Sequence, residues 1–158
     1  MNSDKSLRHW LAWLLDGKDA HASFDDAVRG FPPKLRGAKA ENLPHAAWQL
    51  LEHMRIALHD ILDFSINPKY KSLAWPDEYW PKSATPPAGA WNKSVRQYRA
   101  DLAGMRKLVM NPKTDLHVAI PWGDGQTILR EALLIADHNS YHLGQLILVR
   151  KALGAWKR

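Results

Sequence analysis

Apolar positions along the chain fall into four stretches of helical period. Leu7, Trp10, Leu11, Leu14 and Leu15 recur at i, i+3, i+4, i+7 and i+8, which builds one stripe along a first helix. A shorter stretch, Ser23 to Val28, extends or follows that helix, and Gly30-Phe31-Pro32-Pro33 stops it. A second helix is predicted from near Pro44, since proline fits a first turn, through Trp48, Leu50 and Leu51 to about Ser65. Asn67-Pro68 ends it. A third spans Ala90 to Met110, with Trp91, Val95, Tyr98, Leu102, Met105 and Val109 spaced alternately by four and three. The fourth begins near Thr127, a good N-cap residue, and continues to about Leu153, before Gly154.

Two connections are long. Residues 66–87 hold five of the ten prolines together with Trp75, Tyr79 and Trp80, so aromatic packing is what would order them. Residues 111–125 include Leu116-His117-Val118-Ala119-Ile120-Pro121, read as a short extended piece. There is no internal repeat, low-complexity tract or interdomain linker, and 158 residues suit one domain, 1–158. The expected architecture is all-α, a single four-helix bundle with long crossover loops.

Composition narrows the class. Hydrophobic residues make up 46% and charged residues 24%, a globular profile far from that of a disordered chain. No apolar run approaches the ~18 residues of a membrane helix, and MNSDKSLRHW lacks the layout of a secretory signal. The absence of cysteine excludes disulfides, thiolate zinc sites and a cysteine nucleophile, and together these features point to the cytoplasm. Lys and Arg number 22 against 16 Asp and Glu, a net +6. These cations are spread along the chain, often near acids, as in Asp25-Asp26 with Arg29. The densest group, Arg150-Lys151 with Lys157-Arg158, is favoured by the dipole at a helix C-terminus. With no arginine-rich or aromatic-interleaved motif, the charge reads as a solvated surface and no nucleic-acid partner is expected.

The candidate chemistry lies in the histidines. His138 and His142 are four apart, so both imidazoles leave one face of the fourth helix, the spacing two ligands on a helix need to reach one ion. On a solvated face such a pair is an everyday feature. Here it sits mid-stripe among Ile128, Glu131, Ile135, Leu146, Val149 and Leu153, and buried imidazoles need a partner such as a metal. On the second helix His53 shares a face with Ala46, Gln49, Ala57, Asp60 and Phe64, opposite the apolar Trp48, Leu51, Leu58 and Leu62. Three histidines from two facing helices make a site with open positions, and neutral nitrogen ligands suit Zn, Ni, Fe or Cu. Glu131 is the candidate acid/base, or simply a first-turn acid favoured by the helix dipole, and Asp60 is the other carboxylate near the motif. Asp137 lies about 100° round the helix from His138. His9 and His45 read as solvated near helix starts, His59 points elsewhere, and His21 and His117 are placed at the mouth of the bundle. Trp75, Trp80 and Trp122 serve as pocket walls or as packing anchors.

Asp137-His138-Asn139-Ser140-Tyr141-His142-Leu143-Gly144-Gln145 resembles the last-helix signature of the DinB-like, or damage-inducible B, metalloprotein superfamily. Gly125-Gln126-Thr127-Ile128-Leu129-Arg130-Glu131 and the Pro44–His53 stretch are similar to it too, so the likeness covers nearly the whole chain. The resemblance implies an up-down-down-up bundle, often a homodimer, holding a divalent ion through His53, His138 and His142. It also implies that Gly144 allows close helix approach and that Gln145 lies beside the histidine face. Some members of that superfamily are S-transferases using bacillithiol or mycothiol, and others resemble maleylpyruvate isomerases. The chain departs from the transferases in its crossover, Trp75-Pro76-Asp77-Glu78-Tyr79-Trp80-Pro81. The expectation is a metal-dependent enzyme, with Zn or Ni foremost, acting on a small-molecule substrate. It would either activate water for hydrolysis or deprotonate a low-molecular-weight thiol, a sulfur nucleophile the chain lacks. The alternatives are a non-catalytic metal- or small-molecule-binding stress-response protein, and a module dimerising through Trp48, Leu51, Leu58 and Leu62.

Overall fold

Each of the four periodic stretches folds as a helix in the computed structural model, which describes residues 3–17 and 20–156. Asp19, Lys157 and Arg158 lie outside the described residues. The elements are α1 (Ser3–Asp16), α2 (Phe24–Val28), a 3-10 turn (Pro33–Leu35), α3 (Ala47–Ile66), α4 (Ala90–Met110) and α5 (Ile128–Ala152). Capping sets several boundaries. Ser23 Oγ accepts from the Asp26 amide while the Asp26 carboxylate accepts from the Ser23 amide, so α2 starts afresh instead of extending α1. Gln49 Oε1 accepts the Ala46 N–H, which starts α3 at Ala47, three residues after the expected Pro44. Gly89, at φ +75°, turns the chain into α4, and Thr127 caps α5 as expected.

The side-chain pairings give the topology. Glu52 bonds Ser94 and His59 bonds Asp101, both at a separation of 42 residues, so α3 and α4 run parallel. Arg8 reaches Val109 while Asp16 reaches Arg106, which makes α1 antiparallel to α4. His53 meets His138 and His142, whereas the Trp122 indole just before α5 donates to the Phe64 carbonyl, so α3 and α5 are antiparallel. The result is an up-down-down-up bundle in which α3 and α1 each pack against both α4 and α5. Because α3 and α4 are parallel, residues 67–89 must travel back along α3. Tyr70 lies at Asp60 and Phe64, Trp80 at His53 and His45, and Thr85 against Gly37, where a Cβ would come within 2.8 Å of its backbone.

The core joins Leu11 and Leu15 of α1, Leu50, Leu51, Met54 and Leu58 of α3, Trp91, Tyr98, Met105 and Val109 of α4, and Ile135, Leu143 and Leu146 of α5. Two expectations change here. The buried face of α1 is Arg8, Leu11, Ala12 and Leu15, leaving Trp10 and Leu14 exposed. That rotation lets the Arg8 guanidinium reach the carbonyls of Val109, Asn111 and Thr114, at and just beyond the end of α4. The Trp48/Leu51/Leu58/Leu62 face, read as a dimerisation surface, is instead buried within the chain, with Leu62 against Gly104 of α4. Arg150 plays the part at α2 that Arg8 plays at α4, donating to the carbonyls of Asp26, Ala27, Arg29 and Ala155. The 116–121 stretch makes only an isolated bridge, Ala119 with Thr127, and no helix among the described residues is long and apolar enough to cross a membrane.

Candidate metal centre

His53 projects from the second turn of α3, and His138 and His142 from successive turns of α5, into the seam between the two helices. The Nε2 atom of His53 lies 3.1 Å from Nε2 of His142 and 3.1 Å from Nε2 of His138. One nitrogen from each of the three rings lies within 4.8 Å of the other two, and the structure brings together all three expected ligands. His53 is 2% exposed and His142 is also buried.

The outer ring atoms fix which nitrogens face inward. His53 Nδ1 is 2.9 Å from the Tyr79 carbonyl, which can only accept, so Nδ1 carries the proton and Nε2 presents its lone pair. His142 Nδ1 donates in the same way to Gln145 Oε1 at 2.8 Å. Two lone pairs facing each other at 3.1 Å repel unless a cation lies between them. Nitrogens ~2.0–2.1 Å from a zinc-sized ion would be about 3.3 Å apart at tetrahedral angles and about 2.9 Å at right angles. The two spacings from His53 fall between these values, and with all three nitrogens within 4.8 Å of one another the residues suit a divalent transition ion. Burial, reinforced by the neighbouring rings, pushes both His53 and His138 down to about 4. Burial lowers His142 as well, so the three rings are neutral, as nitrogen ligands must be.

One wall of the site comes from the crossover. Trp80 lies flat on His53, with ring centroids 3.8 Å apart, and His45 stacks on Trp80 at 4.3 Å. Asp60, the other carboxylate near the histidine motif, is instead taken up by two phenols, Tyr70 and Tyr79. Burial and the bond to Asp60 push the Tyr70 hydroxyl up to about 12, and the same causes raise that of Tyr79.

The remaining candidates separate. Glu131 is 2% exposed in the first turn of α5, where its carboxylate accepts from Arg130 at 2.8 Å and is not a member of the three-histidine group. His59 lies on the α4 side of α3, bonded to the buried Asp101, near a cavity of about 450 Å³ that Glu52 and Ser94 also line. His21, His117 and Asp137 are exposed. Trp122 is an anchor on the Phe64 carbonyl, and Trp75 is 71% exposed. His45, expected to be solvated, is half-buried against Trp80, and the Tyr79 carbonyl has no signature in sequence at all. The clustering of Trp75, Tyr79 and Trp80 among prolines was the available sign that this crossover is built into the site. No protein-family model, curated protein or solved structure matches the chain.

Proposed function

We propose that the chain is a divalent-metal-dependent enzyme of the DinB-like class, acting on a small molecule as a thiol S-transferase or a hydrolase. The supporting observation is the convergence of three neutral Nε2 atoms, two of them with their tautomer set by an outer partner. His53, His138 and His142 would hold the ion, which supplies Lewis-acid activation of a bound thiol or water. Tyr79 and Gln145 orient two of the ligands, and Trp80 keeps water from the face of His53. A sulfur nucleophile would come from a co-substrate, since the chain has no cysteine. Glu131 is proposed as the group that moves a proton for the substrate.

Elemental analysis of protein purified without a metal-binding tag tests this reading. About one Zn or Ni per chain is expected, lost in His53→Ala, His138→Ala and His142→Ala. Glu131→Gln should keep the metal and lose turnover in screens for thiol transfer and hydrolysis. An untagged wild type that takes up no transition ion after reconstitution overturns the proposal.

A further inference from the structure

Asp60 lies seven residues after His53, two turns further along the same face of α3. Its carboxylate is shared between two phenols of the crossover. Tyr70 donates to Oδ1 at 2.9 Å and Tyr79 donates to Oδ2 at 2.7 Å. The crossover has no helix or strand of its own, so these bonds pin it to α3 at two points nine residues apart. Tyr70 also packs edge-on against Phe64, and Trp75 tilts against Tyr79.

Tyr79 has a second role. Its carbonyl is the acceptor for His53 Nδ1, at 2.9 Å, and the residue after it places the indole flat on the His53 ring. A continuous chain of contacts thus runs from the Asp60 carboxylate to the Tyr79 hydroxyl, from the Tyr79 carbonyl to His53 Nδ1, and across the ring to Nε2. An imidazole without a fixed acceptor divides its proton between two nitrogens, and a proton on Nε2 blocks that atom as a ligand. A carboxylate can accept from both phenols at once, whereas an amide offers one oxygen.

We infer that Asp60 is a positioning residue of the metal centre: by clamping Tyr79 it holds His53 in the Nδ1–H tautomer, with the Nε2 lone pair toward His138 and His142. This inference rests on the three-histidine metal reading proposed above, and its test reads the tautomer in the absence of metal as well as the affinity for it.

The experiment uses the full chain as wild type, Asp60→Asn, Tyr79→Phe and, as a control that spares the bond to Tyr79, Tyr70→Phe. Imidazole nitrogen shifts of the metal-free proteins report the tautomer of His53. Competition with a chromogenic chelator reports Zn²⁺ affinity, and far-UV circular dichroism reports the fold. A single Nδ1–H form is expected in wild type and Tyr70→Phe. Asp60→Asn and Tyr79→Phe should show a mixture of tautomers and a Zn²⁺ affinity lowered about ten- to a hundredfold, with helix content retained. Unchanged tautomer and affinity in both of these variants overturn the inference. A loss of affinity with the tautomer intact also overturns it, because Asp60 would then only anchor a loop. Failure of the wild type to bind Zn²⁺ defeats the metal reading, while the tautomer shift still decides whether the clamp exists.

Discussion

The indole of Trp80 and the imidazole of His53 lie face to face, with ring centroids 3.8 Å apart and planes 4° from parallel. His45 covers the other face of the indole at 20°, so Trp80 is held between two histidines, and His142 meets its edge at 5.9 Å. An aromatic ring so placed shields one side of a ligand and reports on it.

Binding of Co²⁺ or Ni²⁺ should therefore quench part of the intrinsic tryptophan fluorescence, with Trp80 the main contributor among the eight tryptophans. A titration of wild type against Trp80→Leu checks this. Equal quenching in the two proteins would show that Trp80 is not beside the ion.

The lowered histidines make the metal-free protein acid-sensitive over a defined range. In the unfolded chain His53 and His138 take up protons near 6.5, whereas the folded protein resists until about 4. The unfolded state thus binds more protons as pH falls between these values, and folding stability declines across that interval. For these two groups the decline is complete near pH 4. Urea midpoints of chelator-treated protein at about pH 7.5, 6 and 5 should drop in that order. His138→Gln should show a shallower drop, and equal midpoints at all three pH values would contradict the assignment.

Arg150→Met leaves the carbonyls of Asp26, Ala27, Arg29 and Ala155 without their buried donor. The expected cost is about 3 kcal/mol, which for a chain of this size lowers the melting temperature by on the order of 10 °C. Arg150→Lys should recover only part of this, since an ammonium cannot fork to four acceptors with one geometry. A melting temperature within about 2 °C of wild type in Arg150→Met would show that these bonds contribute little.

How much of this was legible in the sequence depends on what each residue touches. The boundaries of α4 and the Thr127 cap follow from local rules, because proline, asparagine and N-cap chemistry act within a turn. The three histidines were legible because two share a helix face and the third lies on a face of unusual polarity. The rotation of α1 was not, since Trp10 and Leu14 are as apolar as Leu11, and the reach of Arg8 to the end of α4 is a contact 101 residues away that no local pattern shows. Nor was the part played by the crossover, because a backbone carbonyl has no residue identity and Tyr79 meets His53 across 26 positions. Asp60 read as a spare carboxylate for the same reason, its partners being phenols 10 and 19 residues away.

The parallel register of α3 and α4 carries one further consequence. After 20 helical residues the chain stands about 30 Å from where it must re-enter to begin α4. The long proline- and tryptophan-rich segment is thus a return route required by the topology, and it passes His53. Its residues are free of the periodicity that the helices obey, yet Tyr79 and Trp80 within it are tied to His53, so changes there reach a ring that α3 carries. In this bundle the two helices supply the ring nitrogens, and the irregular segment between α3 and α4 sets how one of those rings is turned.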